Sequence, residues 1–267
     1  MIKKAVIPAA GYGTRGLPVT KALPKEMFPI GGRPAIDYIV EEAVQSGIEE
    51  ILIILSRSKN IIMDYFDRSL ELEAFLSSKN KTHLVEKTLP PKVHIQYIRQ
   101  PYAHGLGAAI QLARPFVNNE PFAVLLPDEI NISKKKPALG KLITVYRNYK
   151  CNVVAVLEEQ DAQLRNYGVI SGEELTLGLY RLDKIVEKPQ EAPPSNLVVA
   201  GRYVLKPDIF EYLEKQKPGI NGEIQLTDAL NAMLSQEEAY ATKAFEKRFD
   251  IGKDVDYLNL INFIVSE

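Results

Sequence analysis

Three cations follow two glycines in the first long loop of the chain. Residues 9–34 read A-A-G-Y-G-T-R-G-L-P-V-T-K-A-L-P-K-E-M-F-P-I-G-G-R-P, directly after the apolar run Ala5-Val6-Ile7. Gly11 and Gly13 permit a tight turn and let a ligand approach the backbone where a Cβ would collide. Arg15, Lys21 and Lys25 follow, and no acid lies between Gly11 and Lys25. Bare N–H groups and clustered cations at a strand end are the composition of a phosphate cradle.

Two familiar phosphate motifs do not fit this loop. Gly11, Gly13 and Gly16 spell G-x-G-x-x-G, but a dinucleotide fingerprint needs a helix opening in that turn and an acid after the next strand. Pro18, Pro24 and Pro29 interrupt the segment, and proline inside a helix costs ~3 kcal/mol. The next predicted strand, 51–55, runs into Ser56-Arg57 and offers no acid. A Walker A loop would end in G-K-[ST], which is absent.

The elements that must position the loop are legible. Residues 3–8 form a buried strand, Pro34 suits the first position of a helix, and Ile36, Ile39, Val40, Ala43 and Val44 recur at helical spacing up to Gly47. Strand, loop, helix and strand in that order imply a parallel pair in an α/β sheet, whose ligands bind beyond the strands' carboxyl ends. Further strands are predicted at 93–98, 122–126, 153–157, 178–189, 197–205 and 240–245. Helices are predicted at 58–78, 107–117, 138–149, 207–216 and 255–265, with a loop at 79–92. The strand at 122–126 ends in Pro127-Asp128-Glu129, placing a carboxylate at the same cleft. Mg²⁺ prefers one or two carboxylates plus phosphate oxygens. Glu187 and Lys188 are consecutive, so a regular strand would point them to opposite faces; Pro189 gives a reason for irregularity.

Composition narrows the function classes. Thirty-three Lys and Arg balance 34 Asp and Glu, so the charge favours neither a nucleic-acid nor a membrane-surface role. No apolar run approaches the ~18 residues needed to span a bilayer, and a cytoplasmic protein is expected. The single cysteine, Cys151, precludes an intrachain disulfide and reads as a small buried residue at a strand start. His104 reads as an exposed loop residue, and none of the three histidines (83, 94 and 104) has a catalytic setting.

The segments G-Y-G-T-R-G-L-P and T-K-A-L-P-K-E-M resemble the signature loop of the sugar-nucleotide pyrophosphorylases. F-D-R-S-L-E-L-E at 66–73 is similar to a segment of the bacterial members that transfer a uridylyl group, and later segments extend the resemblance over nearly the whole chain. The resemblance implies a Rossmann-like, mixed and mostly parallel sheet flanked by helices. It implies a single domain over 1–267, with 1–135 mainly binding nucleotide and 136–267 mainly binding sugar. The implied reaction is UTP plus glucose 1-phosphate giving UDP-glucose and pyrophosphate, assisted by Mg²⁺, in a homo-oligomer. Another hexose 1-phosphate, dTTP, or a catalytically quiet UDP-sugar-binding paralogue are the alternatives.

The resemblance also implies site residues. Ala10, Gly11, Gly13 and Thr14 would cradle the nucleotide, and Gln100 and Gly105 would line the uracil pocket; a Gln amide carries the donors and the acceptor that a uracil edge requires. The family's G-L-G-H-A stands here as G-L-G-A-A, with Ala108 as the departure. Gly168 of N-Y-G-V-I and Glu187 of I-V-E-K-P would meet the sugar, with Glu223 of G-E-I-Q-L-T-D closing that pocket. Arg15, Lys25 and Lys188 would act on the phosphates. Asp128 and Asp250, of L-P-D and R-F-D-I-G, would hold the metal.

Overall fold

The computed structural model describes residues 1–219 and 222–266. The first strand, β1 (Lys4–Ala9), releases the glycine loop, which returns through the two-stranded hairpin β2 (Pro29–Ile30) and β3 (Arg33–Pro34) into α1 (Ala35–Gln45). Then come β4 (Glu50–Leu55), α2 (Asn60–Phe66), α3 (Leu70–Ser78), β5 (His94–Arg99), α4 (Leu106–Gln111), α5 (Arg114–Val117) and β6 (Phe122–Leu125). The second half holds β7 (Glu129–Ile132), α6 (Ala138–Tyr149), β8 (Asn152–Glu158), β9 (Gly168–Thr176), β10 (Leu179–Glu187), β11 (Leu197–Leu205), α7 (Ile209–Lys215), α8 (Leu226–Met233), β12 (Ala239–Lys243), β13 (Lys247–Asp250) and α9 (Asp254–Ser266).

Nine strands form one sheet in the order β5-β4-β1-β6-β11-β8-β12-β10-β9. Following the pairing senses outward from β1, seven strands run one way and only β10 and β11 run against them. The expected mixed, mostly parallel sheet is what the chain builds. Alternation along β1 explains its place at the centre. Ala5, Ile7 and Ala9 enter one apolar cluster with α1 and α6, while Val6 enters the cluster on the other face with α4, α7 and α8. A strand buried on both faces reads as a continuous apolar run. β4 continues from β1 on one side and β6 lies on the other, so the order reverses between β1 and β6. Ligands in open α/β sheets bind at such a switch point, and there the glycine loop and Pro127-Asp128-Glu129 emerge together.

Several boundaries differ from expectation for physical reasons. Pro34 is not the first helical residue but the extended residue before it, at φ −71° and ψ 151°. The expected helix over 58–78 is two helices, because Asp67 is extended between them; Phe66 is buried at the end of α2, and Arg68 caps the break by pairing with Glu73. A short 3-10 helix, Thr82–Thr88, occupies the expected loop. The expected helix over 107–117 breaks before Arg114, where Pro115 cannot donate to the preceding turn. Cys151 is only half-buried, in the turn before β8, with Sγ 3.2 Å from the Tyr149 carbonyl. The β9–β10 hairpin is irregular at Leu182/Lys184 and curls back, so that Val169 also pairs with Val198 of β11. That curl delivers Gly168 and Glu187 to the cleft. Among the described residues no helix is long and apolar enough to cross a membrane.

Candidate active site

One continuous cleft crosses the switch point. Its first half, of about 390 Å³, is lined by Ala10, Gly11, Gln100, Gly105 and Glu223, together with Lys25. Its second half, of about 570 Å³, is lined by Gly168, Glu187, Thr227, Tyr203, Asp250 and Lys253. Arg15, Asp128 and Lys188 line both halves and form the shared floor. Residues from eight separate stretches of chain therefore converge where the sequence marked two strand ends.

The floor is a set of opposed charges. Lys25 Nζ lies 2.5 Å from Asp128 Oδ2, and Arg15 Nη1 lies 3.1 Å from Asp250 Oδ2. Burial pushes the Asp128 carboxyl up, but the charge and hydrogen bond of Lys25 outweigh it and leave the carboxyl below its usual range. Burial acts against the Lys25 ammonium, yet Asp128 and Glu26 raise its pKa overall. The two carboxylates sit on adjoining backbone: Ile251 N donates to the Asp128 carbonyl at 2.9 Å, and Asp250 is in register with Glu129 across β13 and β7. Two hard oxygen donors next to a phosphate-sized cleft fit a cation such as Mg²⁺.

The tension at Glu187 and Lys188 is resolved by the backbone. β10 ends at Glu187, and Lys188 turns into the left-handed region at φ +43°. Its N–H donates to the Tyr167 carbonyl at 3.0 Å, and its Nζ lies 3.5 Å from Glu187 Oε1. Both side chains therefore face one cavity. Glu187 Oε2 also accepts from Thr227 Oγ1 at 2.8 Å. Gly168 has no room for a side chain, since a Cβ there would stand 2.9 Å from Thr227 Cγ2.

At the other end, Gln100 follows β5 and is buried beside Gly105. Gly105 adopts φ +98°, and a Cβ there would lie 2.6 Å from the Ile224 carbonyl oxygen. Glycine is required on both counts. Glu223, expected to close the sugar pocket, lines the first half of the cleft with Gln100 and Gly105, and its Oε2 accepts from Gln225 Nε2 at 2.8 Å. It also precedes α8 by three residues, with Gln225 as the N-cap. Gly13, at φ +66°, lines a smaller recess with Lys21 and Lys25, and Thr14 is exposed beside it. The three histidines are all exposed and line neither half of the cleft.

Sequence reasoning passed over several cleft residues. Glu26 follows Lys25 in the quoted loop, yet is 1% exposed with both oxygens accepting from Lys59 at 2.8 and 2.9 Å. Tyr167 sits inside N-Y-G-V-I, and its hydroxyl accepts from Lys253 at 2.6 Å and Arg248 at 2.9 Å. Glu129 is buried against Arg248, and burial, followed by the nearby Asp128 and Asp250, pushes its carboxyl up to about 7 despite that arginine. Each stood within or beside a motif; their partners lie far away in sequence.

Over residues 4–267 the chain matches the Nucleotidyl transferase family. It is 52% identical over 261 residues to a Bacillus subtilis (strain 168) protein whose description as a UTP–glucose-1-phosphate uridylyltransferase is provisional, covering 98% of this chain and 96% of that one. It is 46% identical over 260 residues to UTP–glucose-1-phosphate uridylyltransferase 1 of Staphylococcus saprophyticus, covering 96% and 90%. The fold superposes on a UDP-glucose pyrophosphorylase complexed with UDP-glucose with a TM-score of 0.89 at 44% identity, over 100% and 99% of the two chains. A UTP-bound UGPase from Acinetobacter baumannii gives a TM-score of 0.90 at 37% identity, over 98% and 93%. With this sequence likeness spanning almost its full length, the chain belongs to the nucleotidyl transferase family, within the group of UTP–glucose-1-phosphate uridylyltransferases.

Proposed function

We propose that the protein forms UDP-glucose and pyrophosphate from UTP and glucose 1-phosphate. The observation that carries the reading is the shared floor of Arg15, Asp128 and Lys188, with Gln100 and Gly105 in the half on one side and Gly168 and Glu187 in the half on the other. UTP occupies the first half, with uracil against Gln100 and Gly105 and its phosphates on the backbone around Gly11. The sugar phosphate enters the second half, with its hydroxyls toward Glu187 and its phosphate held by Lys188. An oxygen of that phosphate attacks the α-phosphorus in line, and the bond to the departing pyrophosphate breaks.

The nucleophile is a phosphate monoester with a second pKa of ~6, already ionised at neutral pH. No general base is needed, in keeping with a cleft lined by no histidine. The protein's work is positioning and charge neutralisation. Arg15 and Lys25 offset charge growing on pyrophosphate, and Lys188 offsets repulsion between the two anionic substrates. Asp128 and Asp250 would hold Mg²⁺, which supplies further neutralisation of the phosphates when bound. A cytoplasmic setting, where UTP is available, belongs to the same reading. So does a homo-oligomer, which the family resemblance suggests.

The test is pyrophosphate release with Mg²⁺, crossing UTP, dTTP, CTP, ATP and GTP against a panel of hexose 1-phosphates. Release with UTP and glucose 1-phosphate supports the reading. Release with another pair keeps the chemistry and changes the substrate. Silence across the grid, with UTP still raising the melting temperature, would indicate a binding paralogue.

A further inference from the structure

Arg202 is the largest fully buried side chain among the described residues. It interrupts L-V-V-A-G-R-Y-V-L, a strand of otherwise uncharged residues. A guanidinium carries five N–H donors in a fixed planar fork, and here every one has an acceptor. Nε donates to Glu42 at 3.1 Å, and Nη2 donates to Glu42 Oε2 and to the Glu129 carbonyl, both at 2.8 Å. Nη1 donates to the carbonyls of Leu126 at 3.2 Å and Gly201 at 3.1 Å.

Two of those carbonyls flank Asp128. The guanidinium therefore grips the turn 126–129 from beneath, two residues before the carboxylate and one residue after it. The same turn is fastened a third time, since Leu126 N donates to the Gly201 carbonyl at 2.8 Å. The anchor behind the fork is Glu42 of α1, whose Oε1 also accepts from Leu139 N at the start of α6 at 3.0 Å. The turn is thus tied to two helices on one face of the sheet.

We propose that Arg202 is a positioning residue for the reaction: it acts through the turn 126–129 to hold the Asp128 carboxylate in its working orientation. The inference rests on the reading that Asp128 serves the metal and phosphates. A residue present only to fill and neutralise the core would be replaceable by any arrangement that keeps volume and charge balance. A positioning residue is not, because only a planar fork reaches Glu42 and the carbonyls on both sides of Asp128 at once.

The test compares wild type with Arg202→Lys and with the double variant Glu42→Met/Arg202→Met. Lysine keeps the charge against Glu42 but has three donors on one atom. The double variant removes the pair without stranding a buried charge, an exchange that proteins often tolerate. Each protein is assayed for turnover, for the Mg²⁺ concentration at half-maximal rate, and for KM of UTP. Mn²⁺ is also titrated in by electron paramagnetic resonance, with UTP present and sugar phosphate absent, and the melting temperature is recorded.

The expected result is a folded protein in which turnover falls roughly tenfold or more and the Mg²⁺ midpoint and Mn²⁺ dissociation constant rise by a similar factor. KM for UTP should move less than about threefold, because the base pocket is untouched. A folded variant with the wild-type Mg²⁺ midpoint and Mn²⁺ affinity overturns the proposal. Failure of both variants to fold overturns it as well, since Arg202 would then serve the whole fold. Asp128→Asn, measured alongside, separates this from the underlying reading: if it too leaves Mn²⁺ affinity unchanged, Asp128 is not the metal carboxylate and the error lies there.

Discussion

Lys25 Nζ stands 2.5 Å from Asp128 Oδ2 across 103 residues of sequence, and both side chains are largely withdrawn from water. A cation and a carboxylate from opposite ends of the nucleotide-facing motifs thus hold each other in the cleft. The arrangement keeps both groups ionised and aimed before UTP arrives.

Replacing Lys25 tests that pair. Lys25→Ala should keep the fold but reduce kcat by roughly 10²–10³, the scale seen when a charge-stabilising donor is lost. It also changes the acid limb of stability. In the native protein the Asp128 carboxyl lies below its ordinary value, so its contribution is present above the unfolded pKa and lost as pH falls through the native one. Without Lys25 burial dominates at Asp128, so this acid-linked loss disappears: the variant should be less stable near neutral pH and lose less stability than the wild type as pH falls through the carboxylate range. Near-normal turnover in a folded variant would remove Lys25 from the phosphate cradle.

Asp128→Asn should abolish activity or raise the Mg²⁺ concentration needed for half-maximal rate by tenfold or more, the scale of a lost metal contact. Pyrophosphate release measured across a Mg²⁺ series reads this directly. An unchanged titration takes Asp128 out of the metal site.

Lys188 joins a chemical role to a strained backbone. Lys188→Ala and Lys188→Gly should both raise KM for glucose 1-phosphate, because both lose the ammonium. They should differ in stability. At φ +43° a Cβ costs about 1–2 kcal/mol, part of which glycine returns as extra entropy lost on folding. The glycine variant should be the more stable by about 0.5–1 kcal/mol in urea melts. Equal stabilities would mean that the turn carries no strain.

Glu129 gives a pH signature of opposite sign to Asp128. Its native carboxyl is pushed up to about 7, so stability present below the unfolded pKa is lost as pH rises through the native value. Glu129→Gln cannot ionise and should escape that loss. The two proteins should melt together below about pH 4, with the variant ahead by about 3 kcal/mol near pH 8. Parallel pH profiles would count against a raised pKa.

The cleft was partly legible because its motifs lie at strand ends. An apolar run followed by Gly11, Gly13 and three cations is informative without any partner, and 122–126 ending in Asp128 is informative for the same reason. The predicted helix 138–149 and strand 197–205 match α6 and β11 because long periodic or apolar runs leave little choice. The broken helices at 67 and 113 were less legible, since local periodicity continues across a break that packing and Pro115 impose.

Sequence alone determined the chemistry available at each position: where phosphate could be cradled, where carboxylates close a strand, and that no histidine was placed to act as a base. Only the tertiary structure decided which charges meet. Arg202 lies in a strand of otherwise uncharged residues; Glu42, 160 positions earlier, supplies its counter-charge and the turn around Asp128 supplies further acceptors. Glu223 lies in the same half of the cleft as Gln100 because the segment before α8 crosses beside Gly105. Local pattern fixes the direction and burial of a side chain within its own element. Which distant element it faces depends on strand order and register, and these are settled by burying both faces of the sheet at once.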